Sequence, residues 1–242
     1  MEPTLEVFST QINIVGSFNP PVISPGWLAE NELIGKADCD YAIMEKSLAI
    51  TPEICRFETE WFSLQIIQQQ FILTSKGAVT PALKDLAVGI FTLLEHTPVT
   101  AVGINSMAHF KTYSTKDYHR IGDVLAPKSI WHSVFAESAN QSVGLQQMVV
   151  SVNGGPRDSQ LTPMRKNVII GPSNEILNGL HFVLNDHFTI NSTKEPRVSA
   201  SDHLIKIINE NLQNSMDEAK ASFATVIRRA LDTKEMDNVI HH

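Results

Sequence analysis

Five side chains suited to acid–base or metal chemistry fall within one short stretch: His109, Asp117, His119, Asp123 and His132. Histidine titrates near neutrality and ligates metals, and a carboxylate beside it can orient the ring. Brought together by the fold, such a group could serve a metal-dependent or acid–base hydrolase, with His109, Asp117, His119 and His132 as its catalytic candidates. The competing reading is that they decorate a loop and a short helix with no common focus. His181 and His187 share a strand face if 180–190 is one strand, whereas a turn at Asn185-Asp186 would set them on facing strands. Cys39 and Cys55 have only Arg56 as a neighbouring cation in sequence. That is too little to activate a thiolate, so both read as reduced core thiols. His241 and His242 read as the visible start of a purification tag.

The familiar catalytic patterns are missing. The chain contains no G-x-x-x-x-G-K-[ST], no G-x-G-x-x-G, no H-E-x-x-H and no C-x-x-C. It therefore lacks the usual phosphate cradles and the commonest zinc patterns. Gly103-Ile104-Asn105-Ser106 comes nearest to a nucleophile elbow, but its serine is misplaced. An acidic residue two before a lysine occurs at Glu218–Lys220 and Asp232–Lys234, both in a helical region where a nuclease strand end is needed. Trp27, Trp61 and Trp131 are scattered and form no stacking platform. No cofactor and no metal are expected.

These residues must be positioned by strands and helices, and both are legible. Phe8, Ile12 and Ile14 alternate with polar residues along a first strand that Asn19-Pro20-Pro21 ends. Pro25-Gly26 marks a turn, and Trp27 and Leu28 fall in a loop. Asp40–Ile50 and Cys55–Thr74 read as extended runs, the second containing Gln68-Gln69-Gln70, an edge or bulge signal. Thr80 and Pro81 read as N-cap and first residue of a helix whose stripe is Leu83, Leu86, Ala87, Ile90, Phe91 and Leu94. Val99–Phe110 returns to strand, and Ser129–Phe135 reads as a short helical segment. Leu145–Asn153 is a strand closed by Gly154-Gly155-Pro156, Asn167–Ile170 is a short one, and Leu180–Ile190 is a strand or hairpin.

The last element runs from Ser201 or Asp202 to Leu231 with a stripe through Leu204, Ile208, Leu212, Met216, Ala219, Phe223, Ile227 and Ala230. Thirty helical residues span roughly 45 Å, longer than a small domain is wide. The helix is therefore expected to break between Asn209 and Ser215, to project, or to pack on another chain. Leu204, Ile208, Leu212, Phe223 and Ile227 are the interface candidates. Self-association or docking through this helix is the expectation. Phe71–Lys76 before the first helix resembles Phe188–Lys194 before the second, which suggests a strand-rich block plus helix occurring twice.

Composition frames these elements. The chain has 242 residues, 43% of them hydrophobic and 19% charged, which excludes wholesale disorder and collagen-like repeats. A net charge of −7, with a local excess of only +2 between His109 and His132, disfavours a nucleic-acid partner. No apolar run is long enough for a membrane span, and Met1–Glu6 shows no export signal. The reading is one α+β domain over 1–242, in the cytoplasm, with antiparallel sheets, a mid-chain helix and a long C-terminal amphipathic helix. Division into halves 1–115 and 140–235 is the alternative.

Trp61-Phe62-Ser63-Leu64-Gln65 with Phe71-Ile72-Leu73, the helix that follows, Thr97–Asn105, and His203-Leu204 with its amphipathic continuation to Phe223 carry a resemblance. Together they resemble a sporadically distributed family of uncharacterised prokaryotic proteins of similar length, over about two-thirds of the chain. The family's arginine before the asparagine of the second strand is absent, since Gly103-Ile104 precede Asn105. That resemblance implies an architecture and no catalytic residues. Gln11-Ile12-Asn13-Ile14 leading to Asn19-Pro20-Pro21 is similar to SecB-type export chaperones, which combine antiparallel strands with long helices and multimerise. The functional expectation is a non-enzymatic interaction or adaptor subunit of a cytoplasmic, bacterial assembly. The alternatives are the hydrolase around His109–His132 and a SecB-like holding chaperone.

Overall fold

The computed structural model describes residues 3–77, 81–135, 143–153, 161–190 and 199–233. Among the described residues, nine strands form one antiparallel sheet: β1 (Thr4–Gly16), β2 (Ala49–Ile50), β3 (Ile54–Glu58), β4 (Phe62–Ile67), β5 (Gln70–Ser75), β6 (Val99–Lys111), β7 (Met148–Asn153), β8 (Arg165–Pro172) and β9 (Gly179–Thr189). Their spatial order is β2-β3-β4-β5-β1-β6-β9-β8-β7. The helices are α1 (Pro25–Glu30), α2 (Lys36–Met44), α3 (Pro81–Leu93), α4 (Thr115–Leu125), α5 (Lys128–Phe135) and α6 (Ala200–Asp232). The expected α+β class is what the structure has.

The same order of elements occurs twice. A 13-residue strand, two short helices, an antiparallel meander and a closing helix run from β1 to α3 and again from β6 to α6. The seam between the two sets is the β1–β6 pair, with Gln11 opposite Asn105 and Ile12 opposite Ile104. The short match that suggested duplication does not carry it. Phe71 lies opposite Ile14 near the start of β5, whereas Phe188 lies opposite Val102 near the end of β9. Residues 191–194 of that match lie outside the described residues.

Period-two alternation puts Ile12, Ile14, Phe62, Leu64, Phe71, Leu73, Val102, Ile104, Phe182 and Leu184 on one buried face. On it α3 and α6 pack, with Phe91 against Phe71 at 5.2 Å and Phe223 against Phe182 at 5.0 Å. At the β3 end α1 and α2 cover the same core, where the Cys55 thiol donates to the Ile23 carbonyl over 3.4 Å. Burial pushes that thiol up to about 11, so it stays protonated, as a core thiol should.

Several expectations are corrected. Pro25-Gly26 is not a loop turn but the first turn of α1, because Ser24 caps it by accepting from the Trp27 amide and Pro25 occupies the position where no amide is needed. The extended run expected at Asp40–Ile50 begins inside α2, which buries Cys39 and Ala42, three residues apart, and only Ala49–Ile50 is strand. Gln68-Gln69 form the β4–β5 turn, whose carbonyls accept from Phe18 and Gly16. Residues 180–189 are one continuous strand, and α4 was not foreseen. The Thr80 cap and the Gly154-Gly155 turn lie outside the described residues.

The long helix neither breaks nor projects. Its 33 residues, begun by a capping box between Ser199 and Asp202, form one continuous rod of about 50 Å. Within the segment where a break is expected, Asn211 and Asn214 donate to the carbonyls of Ile207 and Glu210 one turn back. The rod is covered by its own chain, lying against α3 and α4 as well as β6 and β9. A 13-residue strand such as β6 is about 44 Å long. Leu204, Ile208, Leu212, Phe223 and Ile227 are at most 3% exposed, so these interface candidates are core residues of the chain itself.

Candidate functional site

The residues expected to converge between His109 and His132 take separate partners. Asp117 belongs to the α4 cap, accepting from the Ser114 hydroxyl at 2.8 Å while its amide donates back to Ser114 Oγ at 3.1 Å. It borders a cleft of about 440 Å³ shared with Arg120, Arg228 and Asp232 at the end of α6. His119, two residues on, faces a different cleft of about 280 Å³. Its ring stands edge-on to Tyr118 at 5.4 Å. Asp123 in that cleft is paired with Lys128 at 2.8 Å. His132 lies in α5, and its side chain is outside the described residues. Among the described residues, no three His, Cys, Asp or Glu side chains gather as metal ligands.

His109 instead meets residues far away in sequence. It lies on β6 directly opposite His181 of β9, and the rings stack at 4.5 Å. Its Nδ1 is 2.8 Å from Ser173 Oγ, and its Nε2 is 3.7 Å from Glu175 Oε1. The Ser173 oxygen already accepts from the amides of Glu175 and Ile176 at 3.1 and 3.0 Å, which uses both lone pairs. Its proton must therefore go to His109 Nδ1, which leaves the imidazole proton on Nε2 towards Glu175. Serine, histidine and carboxylate follow in relay order, but two amides tie the serine oxygen into the β8–β9 turn. The group works as a staple on that turn. Burial and the adjacent His109 lower the pKa of His181 below its ordinary 6.5. Burial and Arg165 do the same for His187, which Arg165 faces from β8.

A row of amides crosses the seam on the same open face of the sheet. Asn185 donates to Asn105, Asn105 donates to Gln11 at 3.1 Å, and Gln11 donates to Thr74 Oγ1 at 3.2 Å. Gly103 leaves the room this needs, since a Cβ there would lie 2.9 Å from Asn185 Nδ2. On the helical face, buried Asp186 is held by Lys166 at 3.4 Å, and Lys166 also pairs with Glu218 of α6. These polar groups bind one another, and their consequence is register and cohesion.

Among the described residues, one helix carries a cluster of exposed apolar side chains. On α5, Ile130, Trp131, Val134 and Phe135 are 63%, 47%, 65% and 52% exposed. They recur at spacings of one, four and five, which places them on one side of the helix. Trp131 and Phe135 stack at 6.4 Å with their planes 12° apart. The α2 helix at the matching point of the first set buries its small apolar residues, as described above. The sequence places Trp131 on a short helix and among scattered tryptophans, and its spacing to Val134 and Phe135 is the signal that points to this cluster. Ser173 and Glu175 had no local signal, because strand register alone brings them to His109. No protein-family model matches this sequence, and no curated protein matches it significantly.

Proposed function

We propose that this protein is a non-enzymatic interaction subunit of a cytoplasmic assembly and grips an apolar polypeptide segment of its partner through α5. The observation that carries this reading is the one-sided display of Ile130, Trp131, Val134 and Phe135. Soluble chains rarely leave a contiguous apolar patch uncovered without a use for it. Tryptophan and other large aromatic groups are the usual energetic anchors of protein interfaces. The polar side chains with chemical potential support the same reading from the other side, since Ser173, His109 and Asp117 are consumed by local structure.

The likeness to SecB-type chaperones supplies a second reading, holding of many unfolded clients, which the same exposed aromatic pair favours. One experiment separates the two. A photo-crosslinking amino acid replaces Trp131 in the cell that makes the protein, and adducts are resolved by mass. One discrete, stoichiometric adduct supports the adaptor. A broad set of adducts, lost together with suppression of aggregation in Val134→Ser/Phe135→Ser, moves the assignment to holding. Absence of any adduct overturns both.

A further inference from the structure

Among the described residues, β7 ends the sheet, pairing with β8 on one side only. Its six residues, Met148-Val149-Val150-Ser151-Val152-Asn153, include no charge, no proline and no glycine. Val149, Val150 and Val152 are 58%, 43% and 55% exposed. An edge of this kind presents a row of backbone donors and acceptors between apolar side chains, and soluble proteins ordinarily blunt it with a charge, a proline or a very short strand. The opposite edge is blunted in that way: β2 is only two residues long and runs into Thr51-Pro52-Glu53. We infer that β7 pairs antiparallel with β7 of a second copy of this chain, joining two nine-stranded sheets through a two-fold axis at Val150.

The geometry favours a copy over other strands. The blunted β2 edge cannot accept β7, so head-to-tail growth is closed off and like must pair with like. Antiparallel partners opposite each other point to the same face, so an axis at Val150 sets Val150 against its mate and Met148 against Val152. In β7 these residues lie on the side of the sheet that carries Val168 and Ile170 of β8. The joint would then be apolar on its helical side from end to end. Val149 would face Ser151 on the other side. The nearest cations, Arg165 and Lys166, lie beside Asn153 and Val152 at one end of β7. The two-fold axis sends their copies to the opposite end of the joint, so no like charges meet. This inference concerns a different surface from α5 and stands without it.

Light scattering on the full chain at micromolar concentration should give twice the 26.8 kDa chain mass. Val150→Lys, which brings two ammonium groups together on the axis, should return the chain mass with an unchanged far-ultraviolet spectrum. Should that variant fail to fold, a spin label on Ser151→Cys reads the same geometry in the otherwise intact chain. Two labels beside a joint with strands about 4.8 Å apart must lie within about 20 Å of each other. A wild-type monomer, a dimer indifferent to Val150→Lys, or label separations well beyond that range would overturn the proposal. So would a wild-type monomer that takes up a synthetic Met148–Asn153 peptide, which would assign the edge to a foreign strand.

Discussion

At the scale of residues, the stacked His109–His181 pair has a readable consequence. Burial and the neighbouring ring favour the neutral form of His181, and burial with Arg165 does the same for His187. Unfolded, both rings return to an ordinary pKa near 6.5, so below that value the unfolded chain binds protons that the native chain resists. The stability these neutral rings provide is complete above about pH 6.5 and drains away as pH falls through their lower native values. The urea midpoint should accordingly hold steady near neutrality and decline as pH falls below about 6.5, and His181→Gln should flatten part of that slope. A midpoint indifferent to pH across this window would refute the assigned protonation states. The spacing of six residues puts His181 and His187 on one face only if the strand is continuous, and the unbroken β9 decides that alternative. Their surroundings were not legible, since Ser173 is 64 residues from His109.

At the scale of elements, α6 shows how a correct pattern leads to a wrong partner. The stripe from Leu204 to Ala230 was visible at spacings of three and four, and each named position is buried as that pattern requires. What covers it was not visible. Phe223 packs on Phe182 at 5.0 Å and Phe110 at 6.4 Å, both from strands of the same chain. Phe223→Ala should cost about 3–5 kcal/mol in urea denaturation, the usual loss for emptying a buried aromatic site, and leave the solution mass unaltered. A change of mass with stability intact would put the stripe at a subunit boundary after all. The errors at α1 and α2 have a different origin. In both, a short apolar run between polar residues fits either period, and only the Ser24 cap or burial of Cys39 and Ala42 decides it.

At the scale of the whole molecule, the seam decides whether either set of elements persists alone. β1 and β6 face each other along nearly their entire 13-residue lengths, and the amide row from Asn185 to Thr74 crosses between them. Expressed without the rest, residues 1–97 would expose all of β1 as a long apolar edge and lose the cover of α6. The fragment should aggregate, while co-expression with residues 98–242 should restore a soluble complex. A soluble, cooperatively folding 1–97 would show that the seam is dispensable.

Periodicity along the chain is enough to place most strands and the two longest helices and to tell which face of each is apolar. Where the apolar pattern runs long enough to fix one period, those properties follow from side-chain periodicity alone. Tertiary structure decided the order β5-β1-β6-β9 at the centre of the sheet, the cover over α6, the company of His109 and the exposure of α5 and β7. A stripe or an edge records only that something must cover it. Which surface does so depends on pairing between segments up to about a hundred residues apart, and the free energy of such pairing belongs to the closed sheet, since no single segment holds it.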